Sequence, residues 1–129
     1  MDILLYPIGF IKSPYKKREE VPKWGTNTPD KAEIILDERY VEGIADLHPL
    51  EKYLVIFYFH KSNEMKLTVP IQGFGPMTGV FSTRSPNRPN SIGISVITVE
   101  AVRGNKIVFT GVDMLDGSPV LDIKPYISE

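Results

Sequence analysis

The sequence predicts a mainly all-β domain, a small barrel with short helices, on three observations. First, short segments rich in β-branched and aromatic residues recur along the chain, separated by turns drawn from its 11 prolines and 10 glycines. Second, Tyr53-Leu54-Val55-Ile56-Phe57-Tyr58-Phe59 is almost wholly apolar and reads as a central strand buried on both faces. Third, Gly104-Asn105 divides two strand-like segments and is a two-residue hairpin signal with glycine first. Closure into a barrel accommodates many short strands because it removes exposed edges.

In chain order, residues 6–13 carry Ile8, Phe10 and Ile11 and stop at Ser13-Pro14, a first strand. Residues 15–29 hold Pro22, Pro29 and Gly25 and read as a long loop. With the end of the first strand, that loop collects Lys12, Lys16, Lys17, Arg18 and Lys23, the densest basic cluster, just ahead of Trp24. The tryptophan either stacks on a base beside a phosphate-binding patch or folds back as a lid on the core. Residues 32–36 form a short strand. Over residues 37–47, Tyr40, Val41, Ile44, Ala45 and Leu47 recur near the helical period, although Gly43 weakens a helix, and His48-Pro49 ends it. Further strands are expected at 66–69, 79–83, 92–97, 99–103, 106–112 and 120–126, with a loop at 70–76.

The totals set bounds. A chain of 129 residues is the size of one domain. Its 42% hydrophobic content supports a core, and 24% charged residues with a net charge of -1 give no overall basic field for holding nucleic acid. Nucleic-acid contact would have to come from local patches. There are no cysteines, hence no disulfides or thiolate metal sites, and with only His48 and His60 as imidazoles no metal is expected. No signal peptide is read at the N-terminus, and the longest apolar run falls well short of a spanning helix, so a cytoplasmic protein without membrane attachment is expected.

The most distinctive stretch is Gly79-Val80-Phe81-Ser82-Thr83-Arg84-Ser85-Pro86-Asn87-Arg88-Pro89-Asn90-Ser91-Ile92-Gly93-Ile94-Ser95. Pro86 and Pro89 fix their own φ and push the preceding residues out of the helical region. Residues 84–91 therefore form a stiff loop presenting two guanidiniums, groups whose planar forks suit carboxylate or phosphate. Taken alone, the loop fits an anion- or nucleotide-binding element and a solvated surface turn equally. Farther on, Asp113-Met114-Leu115-Asp116-Gly117-Ser118-Pro119 is a turn bearing two carboxylates, and period two places Asp122, Lys124 and Tyr126 on one strand face.

Both stretches resemble signatures of the TrmO, or TsaA-like, family of tRNA methyltransferases. "GVFSTRSPNRPNSIGIS" is similar to the first and "DMLDGSPVLDIKPYI" to the second, while "IGFIKSPY" and "IFYFH" match in order. Two long motifs in sequence are a specific signal. The chain departs from the family pattern at Asn87, Ser91 and Ser118, and bacterial members carry a further C-terminal segment beyond the second motif.

The resemblance implies a single-sheet β-barrel that forms a homodimer, with S-adenosylmethionine bound near the subunit interface. It implies methyl transfer to N6 of adenosine 37 in tRNA, threonylcarbamoylated in bacterial substrates. On the cofactor side it points to His60, Lys61, Arg84, Ile94 and Asp113, Met114, Leu115 and Asp116, together with Trp24, Gly25 and Thr26. On the substrate side fall Arg88, placed on phosphate, and Asn90, Lys124 and Tyr126. Asp116 and Asp122 are candidates to accept the proton that N6 loses; each also reads as structural, Asp116 as a turn residue and Asp122 as an ion-pair partner of Lys124 or Arg88. A second reading is a non-enzymatic dimeric barrel that binds S-adenosylmethionine or another nucleotide and acts as a sensor or partner subunit.

Overall fold

The computed structural model describes residues 1–22 and 30–127. Among these, eight strands alternate with short 3-10 turns: β1 (Gly9–Lys12), β2 (Lys31–Leu36), β3 (Lys52–Tyr58), β4 (Thr68–Pro70), β5 (Met77–Gly79), β6 (Ile92–Arg103), β7 (Lys106–Thr110) and β8 (Pro119–Pro125). Six of them close into a barrel in the order β1-β2-β7-β6-β3-β8, sealed where β1 meets β8 through Gly9↔Val120 and Phe10↔Pro119.

Alternation along the strands explains the closure. Ala32, Ile34 and Leu36 of β2, Tyr53, Val55 and Phe57 of β3, Ile97 and Val99 of β6, and Ile107 and Phe109 of β7 all turn inward and are buried. Ile11, Val112, Met114 and Val120 complete the same core cluster. Fully burying each Val, Leu, Ile, Phe or Met side chain among them contributes about 1.5–3 kcal/mol. The hairpin β6–β7 turns at Gly104, whose φ of 61° needs a residue without a Cβ, and Arg103 pairs with Lys106 across it.

Several expectations are corrected. The strand β3 is not buried on both faces: Leu54 and Ile56 are only half-buried and Tyr58 is exposed, because a closed barrel covers one face alone. The helix foreseen at 37–47 is a 3-10 helix, Glu38–Ile44, capped by the Asp37 carboxylate, which accepts the Arg39 N–H; it buries Ile44 alone. Residues 79–83 are not a strand. The β5 strand stops at Gly79 and a 3-10 turn, Val80–Ser82, follows, closed by the Thr83 N–H and hydroxyl, both donating to the Val80 carbonyl. The sheet is also not single, since β4 and β5 form a separate two-stranded sheet with register Val69↔Thr78.

The two ends of the barrel differ. At one end lie the C-terminal ends of β1, β3 and β7 and the N-terminal ends of β2, β6 and β8. There the first half of β6 pairs with β3 on one side but runs beyond β7, whose pairing with β6 begins at Thr98↔Thr110. This end is the mouth of the barrel. The opposite end carries the 3-10 helix Glu38–Ile44 and the β6–β7 hairpin. No helix among the described residues is long and apolar enough to cross a membrane.

Candidate functional site

The proline-rich loop arrives at the mouth and is held there by its own hydroxyls. Thr83 Oγ1 accepts the Ser85 N–H and Ser85 Oγ accepts the Asn87 N–H, both at 3.2 Å. Such side-chain turns satisfy backbone donors where the prolines exclude regular structure. Segments distant in sequence anchor the loop: Ser62 Oγ lies 3.1 Å from the Pro86 carbonyl and 3.0 Å from Asn87 Oδ1, and the Lys66 N–H donates to the Asn87 carbonyl. The Phe59 N–H donates to Ser91 O, tying the end of β3 to the start of β6.

The two arginines behave differently. Arg84 is exposed and its Nη1 donates to the Ile94 carbonyl at 3.3 Å, on the stretch of β6 that runs past β7. Arg88 is half-buried and its Nη1 donates to the carbonyls of Thr83 (2.9 Å) and Ser85 (3.1 Å). The guanidinium expected on phosphate is thus turned into its own loop, since two unpaired carbonyls there need a donor.

The acidic turn approaches from the other side. Ser95 is the polar residue on the inward face of β6, only 2% exposed, and its hydroxyl donates to Asp113 Oδ1 at 2.5 Å. Without that acceptor a buried hydroxyl would cost about 1–3 kcal/mol. Asp116 Oδ1 accepts the Ser13 N–H and its Oδ2 pairs with Lys16 Nζ, both at 2.9 Å. The turn is further stapled to the first strand and the residues after it by Gly117 N–H to Ile11 O and Asp116 N–H to Tyr15 O. His60 abuts it, with Nε2 only 3.6 Å from where a Cβ on Gly117 would stand.

Electrostatics follow from these contacts. Burial alone would raise the Asp116 pKa, but the Ser13 N–H, the Lys16 ammonium and Lys12 outweigh it and hold the carboxylate below its ordinary range. Burial lowers the His60 pKa, and Lys61 lowers it further against the opposing pull of Asp116, so the imidazole is neutral at neutral pH. Gly93 admits the aromatic floor of the mouth, since a Cβ there would stand 2.6–2.8 Å from the rings of Phe57 and Phe59, which meet edge-on.

His60, Arg84, Ile94, Asp113 and Asp116 therefore gather at the mouth, with Lys61 and Asn90 exposed beside them. Met114 is 1% exposed within the core, so only its backbone is available to a ligand; Leu115 is half-buried. Trp24, Gly25 and Thr26 lie outside the described residues. Asp122, Lys124 and Tyr126 are not brought to this cluster. The Asp122 carboxylate pairs with Lys124 Nζ at 2.9 Å and accepts the Ile123 N–H, and the Tyr126 N–H donates to Lys52 O at the opposite end. Asp122 faces a separate groove of about 470 Å³ with Ile8, Leu36, Tyr40 and Ile44. A bulge in the β3–β8 register falls between Val120, opposite Phe57, and Asp122, opposite Ile56; beyond it Asp122 and Lys124 share one strand face, opposite Ile56 and Leu54, as period two predicts.

Sequence reasoning gave no site role to Ser95, Ser13 and Ser62, and placed Lys16 in the basic cluster without its partner Asp116. Only Ser95 carried a usable signal, as a hydroxyl in phase with Ile97 and Val99 on an inward face. Among the described residues no three His, Cys, Asp or Glu side chains gather closely enough to hold a metal ion. The donor set fits an S-adenosylmethionine-like ligand: an exposed cation, two anchored carboxylates, apolar Ile94 and a β6 stretch without a β7 partner.

An S-adenosyl-L-methionine-binding protein of Archaeoglobus fulgidus is 38% identical over 127 residues, covering 98% of this chain and 91% of that protein. The tRNA (adenine(37)-N6)-methyltransferase of Mus musculus is 33% identical over 136 residues, 99% of this chain and 32% of that enzyme. The crystal structure of TrmO from Pseudomonas aeruginosa matches with a TM-score of 0.82 at 32% identity, over 98% of this chain and 57% of that one. This chain therefore spans little more than half the length of that solved structure and about a third of the mouse enzyme. The family model of the tRNA-methyltransferase O N-terminal domain matches residues 10–129, and the chain belongs to that family.

Proposed function

We propose that this chain binds S-adenosyl-L-methionine at the mouth and directs its methyl group to N6 of adenosine 37 in tRNA, as a homodimer with the cofactor near the subunit interface. The observation that carries this reading is the convergence of Arg84, Asp113, Asp116 and His60 from three separate segments at one opening.

The cofactor supplies an electrophilic methyl group on a sulfonium. Arg84 holds its methionyl carboxylate through a charge-assisted pair. Asp113, fixed by Ser95, accepts from ribose hydroxyls, and Ile94 offers an apolar surface to the adenine. Aligning amine and methyl group supplies most of the acceleration, since the displacement needs no covalent help. As N6 attacks it becomes cationic and a strong acid, so its acceptor needs no raised pKa. Asp116, ionised beside Lys16, takes that role; Asp122, which faces the separate groove with Ile8, Leu36 and Ile44, does not. Neutral His60 and exposed Lys61 flank the cofactor side, and Asn90 stands at the rim toward the RNA.

The dimer reading is supported by exposed Tyr58, Phe81, Ile92 and Ile94 near Arg84, an apolar surface of the kind that marks interfaces. A second reading, binding without transfer, is favoured by one observation: the Archaeoglobus relative, of which this chain covers 91%, is named for binding alone. Mass analysis of nucleoside 37 in tRNA from a strain lacking the gene decides between them. The proposal predicts loss of the N6-methyl group and its return on complementation. An unchanged profile, in a protein that still binds the cofactor, selects the second reading.

A further inference from the structure

We infer that Arg88 is a positioning residue for Arg84 and not a contact to RNA phosphate. The inference rests on the cofactor reading of Arg84 given above. The two carbonyls that Arg88 Nη1 grips, those of Thr83 and Ser85, belong to the residues on either side of Arg84. One guanidinium thus closes a bracket around the backbone from which Arg84 projects.

The surrounding geometry makes the bracket consequential. Thr83 and Ser85 are half-buried and Arg84 between them is exposed. Thr83 has extended backbone (φ -136°, ψ 168°) and its hydroxyl donates back to Val80 O, so the entry to residue 84 is already set. Ser85 precedes Pro86, which removes the helical alternative at its own position. What remains is the orientation of the peptide groups around Arg84: Arg88 holds the Thr83–Arg84 group and the Ser85–Pro86 group, and the Arg84–Ser85 group between them is held through the Ser85 N–H by Thr83 Oγ1. The loop between them closes on itself through the Arg88 N–H, which donates to Pro86 O at 3.0 Å. Arg84 is thereby presented to a ligand with part of its ordering entropy already lost on folding, which raises affinity without a new contact.

A phosphate-binding arginine would point its fork outward. Here Nη1, which carries two of the five donors, is committed to two carbonyls. The chemistry that uses the bracket is recognition of a carboxylate by Arg84, and the RNA backbone is not its target.

Calorimetric titration of the full chain with S-adenosylmethionine tests this in the wild type, Arg84→Ala, Arg88→Ala and the double variant. Arg88→Ala is expected to weaken binding roughly tenfold, and the same change in the Arg84→Ala background is expected to have no further effect. Arg88→Lys, whose ammonium can still donate to both carbonyls, should give a smaller loss with the same dependence on Arg84; it replaces the alanine variant should that fail to fold. A parallel readout is the salt dependence of tRNA binding. The slope should be unchanged by Arg88→Ala, whereas a lost phosphate contact lowers it by about one. Additive losses in the cycle, or a reduced salt slope, overturn the inference and leave the Arg84 assignment intact. No loss of cofactor binding in Arg84→Ala alone removes the cofactor reading, and the inference with it.

Discussion

The two ends of the barrel use similar residues to opposite effect. At the end bearing the 3-10 helix, charges are satisfied by near neighbours in sequence: Asp37 by the Arg39 N–H, and Asp122 by the Ile123 N–H and Lys124. At the mouth the two carboxylates of the acidic turn are held from farther along the chain, with Ser13 to Asp116 separated by 103 positions and Ser95 to Asp113 by 18. Local pairs can form wherever the strand happens to sit. Long-range pairs exist only once the barrel has closed, and closure fixes their directions. An exposed local ion pair contributes about 0–1 kcal/mol and positions nothing. A buried hydroxyl held by a carboxylate fixes the carboxylate. The groove beside Asp122 thus has its carboxylate held by a neighbour in sequence, whereas the carboxylates at the mouth are held by residues of other segments.

The sharpest way to break the comparison is at Ser95 and Asp113. Asp113→Ala leaves a buried hydroxyl without this acceptor and is expected to cost about 1–3 kcal/mol, a fall of several degrees in Tm. Adding Ser95→Ala should recover most of that stability, since removing both partners is nearly neutral. Cofactor binding should stay impaired in both variants. Thermal melts with and without S-adenosylmethionine read the two effects separately. Recovery of binding together with stability would reduce Asp113 to a structural residue.

A smaller effect is expected in acid. The folded pKa of Asp116 lies below its ordinary value, so the stabilisation from its ionised form is complete above about pH 4 and is lost as pH falls through the lower folded value. His60 has a lowered folded pKa as well, and its burial favours the neutral ring. The unfolded chain therefore takes up a proton near about pH 6.5 that the folded chain refuses, and stability falls from that point down to the folded value. Denaturation midpoints measured across the acid range should lose the first decline in His60→Gln and the second in Asp116→Asn. Identical profiles in wild type and both variants would contradict the contacts assigned to the turn.

The sequence carried much of this arrangement, and the rest has physical reasons for being hidden. Strand positions were legible because inward and outward residues alternate, as Ala32, Ile34 and Leu36 do. The prolines announced a stiff loop at 84–91, and the two long motifs identified the family. The division of labour between Arg84 and Arg88 was not legible, since it depends on which guanidinium faces carbonyls of its own backbone. That Asp122 does not share the inward face of Val120, two positions earlier, was hidden by the β3–β8 bulge between them, because a one-residue shift redirects the later side chains on the strand. The separate β4–β5 sheet escaped notice because three-residue strands carry almost no periodic signal.

The most direct test of the central claim is a side-by-side calorimetric titration of S-adenosylmethionine into Arg84→Ala and Asp122→Ala. The account predicts that Arg84→Ala loses roughly ten- to a hundredfold in affinity, the worth of a charged hydrogen bond. Asp122→Ala should bind as the wild type does. The reverse pattern, with binding lost in Asp122→Ala and kept in Arg84→Ala, would move the site to the other end of the barrel and contradict the account.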